Sequence, residues 1–270
     1  MKLWNKEDNL DKKIEEFTVG NDRKYDMYLA KYDVIASIAH AKMLCKINIL
    51  TDEESTKIIN TLNNIFKNIE SENFNIGNGF EDIHSKIESL LIDELGNIGK
   101  KIHTGRSRND QVLVATQLFL KNEINEIKKL TIKLFNTLID LAETNKNELL
   151  PGYTHLQVAM PSSFGLWFSS YAENLIDDIL YLKTAYEINN QNPLGSGAGY
   201  GSSFKIDRNF TTKELDFGDL KYNVVSAQMS RGKVEKSVII AINSIASTLS
   251  RLSSDICFYM TQELNFVSFP

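Results

Sequence analysis

The chain has 270 residues, enough for one large domain or two ordinary ones. It is 42% hydrophobic and 24% charged, an ordinary globular composition, and its net charge of −5 argues against a general nucleic-acid binder. No apolar run reaches the roughly 18 residues that a membrane span needs, and the opening MKLWNKEDNLDKK lacks the apolar core of a secretion signal, so a cytoplasmic location is expected.

Four prolines are few for this length, which favours long uninterrupted helices. Residues 1–21 are polar, apart from Leu3, Trp4 and Phe17. From Asp22 to Asn48 the pattern is helical, with Leu29, Tyr32, Ile35, Ala36 and Ala39 at steps of three and four. Thr51 opens a capping box with Glu54 three residues on. The helix after it carries Ile58, Ile59, Leu62, Ile65, Phe66 and Ile69. A loop over Asn73–Gly79 and a helix over Glu81–Leu95 follow, with Gly96 as its C-terminal cap. A domain boundary is placed at 104/105.

From Asn109 to Asn147 there is neither proline nor glycine, and apolar residues fall on more than one face. Such a helix, nearly 60 Å long at about 1.5 Å per residue, is expected to be buried among others in an elongated bundle. PGYTHLQVAMP, from Pro151 to Pro161, reads as a loop. A second long helix runs to Asn190, a glycine-rich loop spans Gln191–Ser203, and a third long helix spans Ser226–Leu264. No strand-like alternation of useful length is present, so the class is all-α. Cys45 and Cys257 match no metal or redox spacing and read as buried free thiols of a reducing compartment.

The densest chemistry is HTGRSRNDQ, His103 to Gln111, at the head of the first long helix. Arg106 and Arg108 are forked cations suited to carboxylate or phosphate, and Asn109 can donate and accept beside them. The helix's own unpaired N–H groups add positive potential. This reads as an anion site for a carboxylated small molecule; the plainer alternative is a surface turn with salt bridges. Of the four histidines, His155 stands among Tyr153, Thr154 and Gln157, which suits general acid–base work. A histidine merely bonded within a turn would look the same. His84, after Glu81 and Asp82, reads from spacing alone as structural, as does His40. The GSGAGYG loop lacks the lysine of a phosphate-binding loop. No cluster has metal-ligand spacing, so a cofactor-free, metal-free site is expected.

Four motifs in order, EDIH at 81–84, HTGRSRNDQ at 103–111, PGYTHLQ at 151–157 and PLGSGAGYG at 193–201, resemble the argininosuccinate lyases of the aspartase/fumarase superfamily, whose sequence the lens δ-crystallins share. The resemblance covers nearly the whole chain. It implies an N-terminal lyase domain over 1–104 and, over 105–270, about three of the five long helices of a central bundle. It implies β-elimination of argininosuccinate to arginine and fumarate in arginine biosynthesis. His155 is then the catalytic histidine, Thr154 a substrate-binding hydroxyl, Asn109 and Arg108 carboxylate binders, His84 a pocket residue and Asp26 an aspartate near the substrate. It also implies a homotetramer whose sites draw on three subunits; the net charge and the lack of a long apolar run predict no nucleic-acid or membrane partner.

The chain departs from the family pattern in three places. Leu3 and Trp4 are followed by Asn5 and Lys6. Thr18, Val19 and Gly20 stand where a substrate-contacting serine is usual, with backbone N–H groups near Gly20 as a substitute. The chain ends at Pro270, ahead of the expected GSSxMPxKxNP loop, so the piece alone is expected to be inactive. A sister lyase acting on another succinyl adduct, and a non-catalytic crystallin-like protein, are the alternatives.

Overall fold

A computed structural model describes residues 12–71, 74–77 and 79–269; Leu3, Trp4 and their neighbours lie outside them. In chain order the elements are α1 (Lys12–Val19), α2 (Asp22–Tyr25), a 3-10 turn (Asp26–Tyr28), α3 (Ala30–Lys46), α4 (Asp52–Glu70), α5 (Ile83–Leu95) and α6 (Asn97–Lys100). A second 3-10 turn (Lys101–His103) precedes α7 (Arg108–Thr144), β1 (Leu149–Thr154), β2 (Gln157–Ser163) and α8 (Phe164–Asn189). Then come β3 (Gln191–Asn192), α9 (Arg208–Glu214), β4 (Asp219–Leu220), α10 (Val224–Met229) and α11 (Lys233–Tyr259). The fold is mainly helical, with two small two-stranded sheets.

The chain forms two compact units. The first joins the residues up to Lys121 with Asn189–Lys233; the second joins Asn122–Ile188 with Val234–Pro270. In the first unit α3, α4 and α5 pack around Met43, Leu44, Ile58, Leu62, Ile83 and Ile87, each almost fully buried. Burial of one such side chain contributes about 1.5–3 kcal/mol. Thr51 caps α4 as its sequence foretells: its hydroxyl accepts from the Glu54 N–H at 3.2 Å, and Glu54 Oε2 accepts from the Thr51 N–H at 3.1 Å. Gly96 ends α5 at φ +59°, a conformation costly for a residue with a Cβ. A second apolar cluster joins Tyr32, Ala36 and Ala39 of α3 to Val114, Ala115 and Leu118 of α7 and to Leu194.

The second unit is built on the rest of α7, α8 and α11, with Leu138, Trp167, Ala172, Leu175, Leu252 and Tyr259 in its core. Asp178 is buried there because Ser244 and Thr248 donate to its two oxygens, at 2.5 and 2.7 Å. Asp255 accepts from Trp167 Nε1 at 3.0 Å and from the Tyr171 hydroxyl at 2.6 Å.

The structure departs from the sequence-based expectations in several places. The helical stretch from Asp22 is split into α2, a 3-10 turn and α3. The segment expected as one helix from Ser226 is broken at residues 230–232, where Gly232 takes φ +79°. Cys257 is exposed and Cys45 only partly buried, so neither is the buried thiol expected. Residues 151–161 are not a loop but most of an antiparallel hairpin, β1–β2. Pro151 sits opposite Pro161 in it, and the register shifts between Gly152 and Tyr153. Prolines are tolerated there because each strand of a two-stranded sheet is an edge.

Candidate active site

The residues singled out by sequence divide between the two units. Asp26, His84, Arg108 and Asn109 belong to the first, Thr154 and His155 to the second.

In the first unit Arg108 and Asn109 occupy the first turn of α7. Ser107 and Asp110 cap that turn: Asp110 Oδ1 accepts from the Ser107 N–H at 2.8 Å, and Ser107 Oγ accepts from the Asn109 N–H at 3.3 Å. Asp110 Oδ2 accepts from the N–H groups of Gly195 and Gly197, at 2.9 and 3.1 Å. The glycine-rich loop is therefore strapped to the head of α7 by one carboxylate. Burial pushes the Asp110 carboxyl up from its ordinary value, and these three backbone donors oppose that.

Arg108 is held by α5. Its Nη2 donates to Ser85 Oγ at 3.2 Å and its Nη1 to Gln111 Oε1 at 3.2 Å. Asp82 and Glu88 lie 3.6 and 3.7 Å from its nitrogens, beyond hydrogen-bond range. The guanidinium is thus oriented without being saturated, and its side chain keeps 26% of its exposure. Asn109 is exposed beside it. Arg106 behaves otherwise than its motif suggests: it is buried, and its Nη1 donates to Ser37 Oγ on α3 at 2.9 Å. Its charge serves the interior rather than a ligand.

His84 is buried as the second residue of α5, which begins at the Asp82 cap. Its Nδ1 lies 2.9 Å from Asp33 Oδ1. Asp26 Oδ2 accepts from the Ile83 N–H at 3.2 Å, next to His84. Burial raises the Asp26 carboxyl, against the lowering effects of that bond and of His84. His103 stays half-buried, 4.0 Å from Glu88, with its ring pushed down by burial and by Arg106. Thr18 stands near where the family serine is usual, and its hydroxyl donates to the Ile14 carbonyl at 2.9 Å.

In the second unit Thr154 ends β1 and pairs with Gln157, leaving His155 and Leu156 as a two-residue hairpin turn. Both have positive φ, +53° and +61°. A tight turn matching the strand twist requires this, yet asparagine and glycine usually supply it. Both side chains are exposed. Tyr153, just behind, is anchored edge-on to Phe258 at 5.5 Å between ring centres. The hairpin also forms a cleft of about 360 Å³, lined by Leu149, Leu150, Val158, Met160, Ser162 and their neighbours. Its lining is too apolar to hold an anion. Among the described residues no group of three His, Cys, Asp or Glu side chains could hold a metal, and no helix is long and apolar enough to cross a membrane.

Asp33, Ser85 and Glu88, and the contacts that Gln111 makes, were not apparent in the sequence. Ser85 and Glu88 lie one and four residues past His84, on the turns of α5 nearest it, and that helical proximity was the one available signal.

The chain is thus a mainly helical protein with arginine and amide groups at the start of α7 and a histidine at the start of α5. The model of a family described as lyase matches residues 5–270, and the chain belongs to that family. Argininosuccinate lyase of Bacteroides fragilis is 51% identical over 269 residues, covering all of this chain and 60% of the relative. That of Thermotoga neapolitana is 43% identical, covering all of this chain and 68% of the relative. The chain therefore spans about three fifths of the length of most of these relatives. Among solved structures, an EDDS lyase variant with bound fumarate matches with a TM-score of 0.82 at 24% identity, over 93% of this chain and 50% of that one. A fumarate lyase:delta crystallin from Brucella melitensis matches with a TM-score of 0.75 at 19% identity, over 88% of this chain and 57% of that one. Both likenesses concern the fold.

Proposed function

We propose that the protein cleaves argininosuccinate into arginine and fumarate by β-elimination, as a step of arginine biosynthesis in the cytoplasm. The observation that carries this reading is the 51% identity, over the whole chain, to relatives named argininosuccinate lyase. The arrangement at the head of α7 is chemically suited to it. In the reaction a base removes a proton from the carbon next to a carboxylate. The carbon–nitrogen bond then breaks, its electron pair stays with the departing guanidinium nitrogen, and an acid protonates that nitrogen. Negative charge builds on the carboxylate meanwhile, so donors aimed at it speed the step.

On this reading Arg108 and Asn109 hold a substrate carboxylate, with His84 and Asp26 lining the same pocket. Thr154 binds substrate through its hydroxyl, and His155 makes one of the two proton transfers. Residues 1–104 are the N-terminal lyase domain and residues 105–270 belong to the central helical domain.

The site is shared between copies in a homotetramer. Large apolar side chains on the long helices support this: Leu130 on α7, Leu180 on α8 and Ile239 on α11 are 66%, 57% and 64% exposed in the single chain. Large apolar side chains left to water on three helices are what an interface between copies would cover.

The test is fumarate release from argininosuccinate by the full-length protein, followed by ultraviolet absorbance. No release from argininosuccinate defeats the assignment. Release from another succinyl adduct alone moves it to a sister lyase, and none from any adduct favours a crystallin-like role.

A further inference from the structure

The groups at the head of α7 converge on a buried side chain. Asp33, on α3, has no exposed surface. Its Oδ1 lies 2.9 Å from His84 Nδ1 and accepts from Gln111 Nε2 at 2.9 Å. Gln111 turns its other amide atom, Oε1, to Arg108 Nη1. One carboxylate and one amide thus link His84 on α5 to Arg108 on α7, by a close contact at the ring and by hydrogen bonds beyond it. Arg106 supplies the countercharge from within the fold. Burial alone would raise the Asp33 carboxyl, but His84, Arg106 and Gln111 together hold it below the usual range. A carboxylate is kept ionised in the interior only where its partners outweigh the loss of water. Anchoring α3 would not require an anion, since Ser37 already ties α3 to Arg106.

A buried carboxylate against one ring nitrogen decides which nitrogen carries the proton and stops the ring from turning. We propose that Asp33 is a positioning residue of the substrate site: it locks the His84 imidazole with Nδ1 protonated, leaving Nε2 as an acceptor for a substrate N–H, and, through Gln111, fixes the guanidinium of Arg108 for a substrate carboxylate. This deepens the lyase reading and rests on it. Asp33 does not touch the substrate; its effect passes through His84 and Arg108.

Two measurements on the full-length protein test it. The first is the ring-nitrogen NMR spectrum of protein labelled at histidine, where the chain contributes four rings. His84 should show a protonated, hydrogen-bonded Nδ1, and Asp33→Asn should shift that signal. An Nε2-protonated His84 in the unmodified protein would overturn the proposal, and this readout needs neither activity nor a folded variant. The second is a double-mutant cycle in the fumarate assay. Asp33→Asn should lower kcat/KM about 10- to 100-fold, the usual effect of removing an outer partner. In a His84→Gln background it should cost clearly less, since only the route through Gln111 and Arg108 is left. Fully additive losses would mean a general structural role and would also overturn the proposal. If the unmodified protein releases no fumarate, the lyase reading fails, while the histidine spectrum still decides whether Asp33 sets the ring.

Discussion

His155 occupies a backbone position that most residues avoid. It and Leu156 both sit at positive φ, and each left-handed residue of this kind costs about 1 kcal/mol or more. Leu156→Gly should therefore stabilise the hairpin by about 1 kcal/mol, seen as slower hydrogen exchange of the amides in β1 and β2. His155→Asn keeps a residue tolerant of positive φ. It should leave folding unchanged while lowering turnover about 10²- to 10⁴-fold, the range for a lost acid–base group. Unfolding with undiminished activity per folded molecule would mean that the histidine only holds its turn. A different histidine sets a pH limit. His40 is fully buried, with Nε2 3.1 Å from the Thr104 carbonyl, and burial together with Arg106 pushes its pKa from 6.5 down to about 3. Below pH 6.5 the unfolded chain takes up a proton that the folded one refuses. Stability should then fall by about 1.4 kcal/mol per pH unit as acid is added, until the folded ring itself titrates. The depressed His103 acts in the same sense, and the raised carboxyls of Asp26 and Asp110 oppose it. Urea midpoints measured from pH 7 to pH 5 should drop less steeply in His40→Gln.

Among the elements, the head of α7 ties two distant stretches of the first unit together. Asp110 caps it and also holds the glycine-rich loop, so three backbone donors lose their acceptor in Asp110→Ala. Buried bonds to a charged group are worth about 1.5–3 kcal/mol each before compensation by water. A loss of about 3 kcal/mol in unfolding free energy is expected, with the 194–201 loop exchanging its amides faster than α4. The sequence displayed this aspartate inside its motif but not its reach, because Gly195 and Gly197 lie more than eighty residues away. The hairpin was hidden for another reason. Its two prolines and its histidine–leucine turn contradict every local rule for strands, and cross-strand bonding with an anchored Tyr153 overrides them.

For the whole molecule, the long helices carry more apolar surface than these 270 residues bury. The tetramer proposed above would cover it. Ile239→Glu together with Leu180→Glu should convert the full-length protein to smaller species in analytical ultracentrifugation, with loss of fumarate release, because a site assembled from several copies fails when they part. Unchanged mass would mean that these faces are covered by something other than a second copy.

Local pattern was enough for the helical class, the cap at Thr51, the stop at Gly96 and the start of α7 near Arg108, since helix periodicity and capping depend on residues a few positions apart. The motifs were equally legible, being short and contiguous. Tertiary structure alone decided that Arg106 turns inward, that Asp33 sits against His84, and that His155 rides a strained hairpin. Those outcomes depend on which distant groups share the interior, where an ion persists only beside its partners and a backbone accepts strain only when packing holds it.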